Sequence, residues 1–508
     1  MTVLDPLEPR LDPVLAALAD AVLIPPFHGT EPPRWLLRAL SRGLAGVTLF
    51  GSNVIGDTRS LTGSLRAAAP LEPVIAIDEE GGDVTRVAYA AGSPYPGNAA
   101  LGAVDDVELT RSVYFAIGVD LARLGINVDL APCADVLAPD GSPVVGTRSF
   151  GADTSLVARH AAAAVSGLQA AGVAACAKHF PGHGATFEDS HRSLATVAGT
   201  LDDIRRRDLP PFAAAIAAGS VAMMPGHLRV PELTGSRPAT LSPAAVTGLL
   251  RGELGFDGVV ICDALEMKAA SAAFGIPEAA VLALMAGVDL LCLGRDTDEA
   301  MYHAVRAALA GAVTAGRLDG ARLEDAAHRV AGLRSQLAGY RASGSAFRTG
   351  AGDSGGAIAA PAGEAGLGLV AARRALRRSG PGPGALADPL VVEVEPEENI
   401  AAGRFSWGFE PWAATLRVDP AGSPGGTAVD VVLRASAGRA LVLAVRDGRA
   451  VSALLDSVLA ARPDTVVVEM GVPAWAPPPG TAYLATYGAS RVCAQAAAEA
   501  LGLAPAAG

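Results

Sequence analysis

The feature that most constrains this chain is a series of eight short apolar segments in its first 340 residues, each bounded by Gly, Pro or Asp. Segments with the periodicity of amphipathic helices lie between them. Each apolar segment is typical of a buried strand; the eight lie at 21–27, 45–50, 73–78, 126–131, 173–179, 221–225, 258–263 and 288–293. Strands and helices that alternate eight times predict an α/β fold, a (β/α)₈ barrel of the TIM type over residues 1–340.

The main structural alternative is an open, doubly wound sheet. Such a sheet would carry a glycine-rich phosphate turn after its first strand, and residues 25–30 (PPFHGT) do not form one. The barrel prediction therefore places any active site at the carboxyl ends of the eight strands.

The remaining third of the chain predicts a second domain, since 508 residues exceed what one hydrophobic core usually supports. Residues 341–365 are rich in Gly, Ala and Ser without apolar periodicity, which indicates a linker. Residues 366–508 alternate strand-like and helix-like segments and predict a smaller α/β sandwich domain. Its expected strands are 390–394, 429–433, 440–445, 465–469 and 482–487.

Charge and cysteine content exclude several functions. The formal net charge of −12 argues against nucleic-acid and membrane partners, because both need a concentrated basic surface. The five cysteines lie in apolar segments without a C-x-x-C pair and are expected to be reduced. The first residues have no cationic start followed by an apolar run, so a cytoplasmic protein is expected.

Ionisable residues stand at the ends of three predicted strands. Asp78 ends the third strand, Lys178 and His179 end the fifth, and Asp263 ends the seventh. A helix N-cap is the alternative explanation for Asp78 and Asp263. Lys178 is one of only two lysines among 40 cationic residues, and a lysine leaving a buried strand must direct its amine to solvent or to a polar ligand.

Four of the eight histidines lie within 49 residues, which raises the possibility of a metal site; they are His179, His183, His191 and His227. Pro181 and Gly182 separate the first two, so these histidines cannot share one helical face, and the metalloprotease spacing is absent. We therefore expect no metal and no cofactor.

A loop motif supplies a different kind of chemistry. Asp189 and His191 are two residues apart, so the carboxylate can hold one imidazole nitrogen while the other transfers a proton. Glu188 and Ser190 of the same segment fit solvated loop positions.

Taken together, these motifs resemble glycoside hydrolase family 3, and within it the β-N-acetylglucosaminidase branch. The resemblance covers most of residues 15–335, and its motifs are IDEEGG (77–82), NVDLAP (127–132), GTRSFG (146–151), KHFPGHG (178–184), DSH (189–191) and GFDGVV (255–260). Cys262 stands where the family usually has serine, directly before Asp263.

The resemblance implies a role for each residue. Asp263 would be the nucleophile of a retaining mechanism, His191 the general acid/base, and Asp189 the residue that orients His191. The implied substrate-binding residues are Asp78, Arg86, Arg148, Lys178 and His179. The implied substrate is a carbohydrate with a terminal N-acetylglucosamine, in peptidoglycan fragments or related glycans.

Three alternatives stay open at this point. Phosphate instead of water could accept the glycosyl group, because an imidazole does not repel a phosphate dianion as a carboxylate does. A catalytically silent sugar-binding protein would share the barrel but lack Asp263 or the Asp189–His191 pair, and all three residues are present. A metal-dependent hydrolase would use the clustered histidines.

Overall fold

The computed structural model describes residues 11–138, 144–186, 190, 193–343, 366–383, 386, 388–395, 403, 406–422 and 427–503. The chain divides into two compact units. The barrel unit consists of Met1–Glu79, Thr110–Val144 and Ala152–Ala359, and the sandwich unit of Glu80–Leu109, Val145–Gly151 and Ala360–Gly508. Within the described part of the chain, no helix is both long and apolar enough to cross a membrane.

All eight predicted barrel strands form, and they are parallel. The barrel strands are β1 (Leu23–Ile24), β2 (Gly46–Thr48), β3 (Val74–Ile77), β4 (Val128–Asp129), β5 (Ala174–Phe180), β7 (Ala222–Pro225), β9 (Val259–Val260) and β10 (Leu291–Cys292). Two further short strands, β6 (Ala195–Thr196) and β8 (Leu228–Arg229), pair with each other outside this series. Burial of the barrel strands on both faces explains the continuous apolar runs in the sequence.

Hydrogen bonds close the series of strands into a ring. Strands β2, β3, β4, β5, β7 and β9 are neighbours in that order, and β1 pairs with β10. A parallel bridge between Ile261 and Leu290 joins β9 to β10, and the Thr48 amide donates to the Pro25 carbonyl to join β2 to β1 (3.3 Å). The barrel is therefore closed, as the alternation of strands and helices predicts.

Helices follow the strands around the barrel. The longer ones in this unit are Pro13–Asp20, Arg34–Ser41, Thr58–Ala68, Thr154–Ala170, Leu201–Arg207, Leu209–Ala217, Ala244–Glu253, Ile276–Ala286, Glu299–Thr314 and Gly320–Ser343; Val107–Arg123 spans the boundary between the units. Two helices rather than one cover residues 202–218, since the first ends at Arg207 and Pro210 and Pro211 lie in the first turn of the second. The last barrel helix runs to Ser343, and 344–365 lie outside the described residues.

The sandwich unit contains one six-stranded sheet. Its strands are β11 (Arg377–Ser379), β12 (Leu390–Val394), β13 (Ala414–Val418), β14 (Leu441–Val445), β15 (Val466–Glu469) and β16 (Ala482–Ala485), in the order β11-β16-β15-β14-β12-β13. Only β11 is antiparallel to its neighbour. The helices of this unit are Asn98–Val104, Leu367–Ala375, Ala428–Ala435, Ser452–Ala461 and Arg491–Ala500.

Alternate residues of this sheet pack on opposite faces. Val391 and Val442 belong to a core with helix Arg491–Ala500, whereas Val392 and Leu443 belong to a core with helix Ser452–Ala461. The predicted α/β sandwich is confirmed as a sheet covered by helices on both faces.

One predicted strand of the sandwich unit is wrong. Residues 429–433 lie in helix Ala428–Ala435, which begins with a capping box between Thr427 and Asp430. The apolar and β-branched residues of this segment suggested a strand, but the capping box satisfies the first amides of the helix. The strand at this edge of the sheet is β13, of whose residues only Val418 is buried, so no apolar run marks it in the sequence.

Two segments from the first 340 residues belong to the sandwich unit. Helix Asn98–Val104 packs against helix Leu367–Ala375, and Arg374 pairs with Asp106 (2.8 Å). The linear division into a barrel over 1–340 and a separate domain after the linker therefore omits the segments 80–109 and 145–151.

Candidate active site

A buried ion pair joins the ends of two barrel strands. Asp78 directly follows β3, and Lys178 lies near the end of β5. The Lys178 Nζ atom is 2.5 Å from Asp78 Oδ1, and the lysine side chain is 2% exposed whereas that of Asp78 is 23% exposed. The lysine is thus held by a carboxylate that still reaches the surface of the strand ends, where a hydroxylated ligand could share it.

Asp135 organises the loop after β5. Its carboxylate is fully buried and accepts four hydrogen bonds: from the thiol of Cys133 (3.0 Å), the amide and Nδ1 of His179 (3.2 and 2.7 Å) and the amide of His183 (2.6 Å). Burial is the largest single effect and opposes ionisation, but His179, His183 and the Cys133 thiol together outweigh it and hold the pKa of Asp135 well below its usual value.

The contact between Asp135 and His179 fixes the imidazole. An ionised carboxylate only accepts hydrogen bonds, so His179 must carry a proton on Nδ1. In the neutral ring, Nε2 then carries no proton and is an acceptor.

His183 is bound within the same loop. Its Nδ1 atom lies 2.5 Å from Thr186 Oγ1 and its Nε2 atom 3.3 Å from Ser190 Oγ. The ring meets that of His179 edge-to-face, with centroids 5.7 Å apart. His183 therefore joins Thr186 and Ser190, two described residues of this loop.

Asp263 follows β9, and hydrogen bonds to the backbone of Ala264 fix the chain beside it. The Ala264 amide donates to Asp263 Oδ1 (2.8 Å). His227, after β7, places Nε2 3.0 Å from the Ala264 carbonyl, and a carbonyl only accepts, so this nitrogen is the donor. The imidazole thus supports the backbone beside Asp263.

The charged groups converge on one end of the barrel. Burial raises the pKa of the Cys176 thiol, and four ionisable side chains lie near enough to influence this sulfur: Lys178, Asp78, Asp129 and Asp263. Three predicted site residues, from β3, β5 and the end of β9, therefore gather with Asp129 of β4. This convergence is what a barrel requires of an active site.

The remaining predicted residues are placed as follows. Arg148 and Arg86 belong to the sandwich unit, where Arg148 is buried and bound through Nε and a terminal nitrogen to Glu80 (2.9 and 2.7 Å). Arg86 is partly exposed. Asp189 and His191 lie outside the described residues, so their predicted dyad stays a prediction.

Sequence reasoning did not identify the roles of three residues of this site, Asp129, Asp135 and His227. Asp129 is buried, burial raises its pKa well above the usual value, and its Oδ2 atom has no hydrogen-bond partner among the described residues. Asp135 acts through its hydrogen bond with His179, and His227 acts through its hydrogen bond to the Ala264 carbonyl. Both follow barrel strands, so their position at a strand end was the available signal.

A closed (β/α)₈ barrel with a lysine, a histidine and carboxylates at its strand ends has the architecture of a barrel enzyme. The family model described as the glycosyl hydrolase family 3 N terminal domain matches residues 40–333. The chain belongs to this family, and its enzyme class is that of the glycoside hydrolases.

The most similar proteins include bacterial hexosaminidases. A "Beta-hexosaminidase A" of Pseudoalteromonas piscicida is 37% identical over 336 residues, which are 61% of this chain and 56% of that protein. A "Beta-hexosaminidase" of Stenotrophomonas maltophilia is 38% identical over 302 residues, 56% of this chain and 89% of its own length. The chain thus spans little more than half of the first relative.

A solved structure matches both units. It is a glycoside hydrolase family 3 β-N-acetylglucosaminidase from Paenibacillus sp. str. FPU-7, 30% identical, with a TM-score of 0.84 and coverage of 96% of both chains. The similarity therefore includes the sandwich unit, most of which lies beyond the residues that the family model matches.

Proposed function

We propose that the chain is a retaining exo-β-N-acetylglucosaminidase that releases terminal N-acetylglucosamine from peptidoglycan fragments or related glycans. The observation that carries the proposal is the convergence of the Asp78–Lys178 pair and Asp263 on one end of the barrel. The similarity to hexosaminidases and to a β-N-acetylglucosaminidase supports the choice of sugar.

In the first step, Asp263 attacks the anomeric carbon and forms a covalent glycosyl-enzyme intermediate. The Ala264 amide donates to one carboxylate oxygen, Oδ1, and so helps to orient the other oxygen for attack. His191, oriented by Asp189, would protonate the leaving oxygen and later remove a proton from the attacking water.

The substrate-binding residues would each contact different groups of the sugar. Lys178 donates and Asp78 accepts, so the pair can bind two neighbouring hydroxyl groups. His179 adds an acceptor at Nε2 when the ring is neutral. Arg86 and Arg148 are the further residues expected to contact the sugar.

Product analysis tests the proposal. Chitobiose and a disaccharide muropeptide are incubated with the protein, with and without phosphate, and every product is identified by mass. We expect free N-acetylglucosamine in both buffers, and NMR should show the β-anomer first, as retention requires. An α-anomer formed first would contradict the retaining mechanism.

The phosphate arm separates hydrolysis from phosphorolysis, since both reactions would use the same residues. Sugar 1-phosphate as the dominant product would replace the proposed hydrolase with a phosphorylase. No turnover of either substrate would contradict the proposed substrate class.

A further inference from the structure

Three side chains of kinds that commonly bind metal ions lie close together near the carboxyl ends of β4 and β5. The Sγ atom of Cys133, a carboxylate oxygen of Asp135 and a ring nitrogen of His179 all lie within 4.8 Å of one another. All three side chains are buried. In the described part of the chain, this is the one group of three such residues whose ligand atoms come so close.

The backbone that carries these ligands is fixed by the barrel. Cys133 forms a parallel bridge with Lys178, and the Ala134 amide donates to the Lys178 carbonyl (2.6 Å). Two ligands thus extend β4 and the third lies near the end of β5, so pairing of adjacent strands holds them together.

The donor set suits a borderline-soft divalent cation. Thiolate, imidazole and carboxylate are the three ligand types of protein zinc sites. The Asp135 Oδ2 atom now accepts from the Cys133 thiol at 3.0 Å and from His179 Nδ1 at 2.7 Å. Tetrahedral zinc would need these separations to open to about 3.3–3.6 Å, a movement of well under one ångström.

From this geometry we propose that Cys133, Asp135 and His179 form a binding site for Zn²⁺, and that its occupation inhibits the enzyme. The metal takes the place of the two protons that now link the three side chains. The thiol proton leaves to solvent, and the imidazole proton moves from Nδ1 to Nε2, so that the ring stays neutral.

Inhibition follows from this transfer within the ring. Without metal, Asp135 accepts from Nδ1, and Nε2 of the neutral ring accepts a hydrogen bond. With metal on Nδ1, Nε2 becomes a donor. Any group that donates to Nε2, whether it belongs to the protein or to a bound sugar, would then meet a second donor, so metal should disturb His179 and weaken substrate binding.

Binding of Co²⁺ to the whole chain tests the site without using activity. Cobalt bound by a thiolate has a charge-transfer absorption that cobalt bound only by oxygen and nitrogen lacks. We expect this band to saturate at one cobalt per chain and Zn²⁺ to displace it. Cys133→Ala should abolish it, and Cys133→Ser is the second variant if the first does not fold.

Cys176→Ala is the matched control, because Cys176 is equally buried, lies on β5 and is outside the triad. It should keep the band. Zn²⁺ should inhibit the wild type and Cys176→Ala alike, and Cys133→Ala at least about tenfold more weakly.

Two outcomes would overturn the proposal: no thiolate band in the wild type, or equal zinc inhibition of wild type and Cys133→Ala, which would place the metal elsewhere. The inhibition arm rests on the proposed function, whereas the cobalt arm does not. An inactive protein that still binds cobalt through Cys133 would count against the proposed function alone.

Discussion

Both units place buried carboxylates at the ends of parallel strands, but they use them differently. In the sandwich unit, Glu469 ends β15 and accepts from the Gly448 amide (3.0 Å) and the Tyr483 hydroxyl (2.5 Å). Burial raises its pKa. In the barrel unit, Asp78 and Asp135 are bound by Lys178 and His179 instead.

The difference shows what separates a structural carboxylate from a functional one. Backbone amides and a phenol satisfy Glu469 and leave nothing for a ligand. In the barrel, each carboxylate holds a side chain with more than one hydrogen-bonding group, namely the ammonium of Lys178 with its three donors and the imidazole of His179 with its second nitrogen. The position of a carboxylate at a strand end is therefore insufficient evidence of function. The groups that hydrogen-bond to the carboxylate distinguish a functional role from a structural one.

The largest effect is expected at Asp263. Asp263→Ala removes the proposed nucleophile, so kcat on an aryl β-N-acetylglucosaminide should fall by a factor on the order of 10⁴ or more. Asp257→Ala is the control, since Asp257 is exposed and six residues away. Circular dichroism should show both variants folded. Near-normal turnover by Asp263→Ala would refute the assignment.

The next effect concerns the two lysines. Lys178→Met removes the ammonium that Asp78 holds, and we expect kcat/KM to fall by roughly 10²–10³. Lys268→Met should be close to wild type, because Lys268 is exposed at the start of the short helix Lys268–Ser271. Similar losses in both variants would show that the effect is unrelated to the ion pair.

The barrel could be predicted from sequence because its strands are buried on both faces and therefore appear as unbroken apolar runs. The same signal failed at β13, of whose residues only Val418 is buried, and at Ala428–Ala435, where a capping box overrides an apolar run. Strands that are buried on both faces can be recognised from their apolar composition, whereas the formation of an edge strand depends on the strand with which it pairs.

The site could be predicted only in part, for a related reason. Asp78, Lys178 and Asp263 end predicted strands, so the topology brings them together. Asp135 and His227 also follow strands, but their importance depends on which side chain or carbonyl they contact across the barrel. Such contacts between distant segments leave no local pattern.

A third prediction contrasts two carboxylates within the barrel unit, since burial determines the direction of the pKa shift at Asp208, whereas the partners of Asp135 together outweigh burial there. Burial raises the pKa of Asp208 to about 6, although Arg207 opposes the shift. Its unfolded pKa is near 3.8, so the folded state binds the proton more tightly. Its contribution to stability is therefore fully present below pH 4 and is lost as the pH rises to 6, by up to about 3 kcal/mol.

Urea unfolding of the wild type and Asp208→Asn between pH 4 and 7 measures this contribution. The free energy of unfolding of the wild type should fall relative to the variant across this range. A constant difference between the two proteins would contradict the raised pKa.

The smallest effect tests the opening comparison directly with Asp135→Asn and Glu469→Gln, measured without added metal. The amide introduced by Asp135→Asn would carry one acceptor oxygen against four donors, so its nitrogen must donate to one partner. If that partner is Nδ1 of His179, Nε2 becomes a donor, and KM should rise about tenfold with a smaller change in kcat.

Glu469→Gln should lower the urea midpoint while kcat and KM stay unchanged, because the hydrogen bonds of the Glu469 carboxylate lie within its own unit. Equal effects of the two substitutions on KM would show that the partners of a strand-end carboxylate do not determine its role.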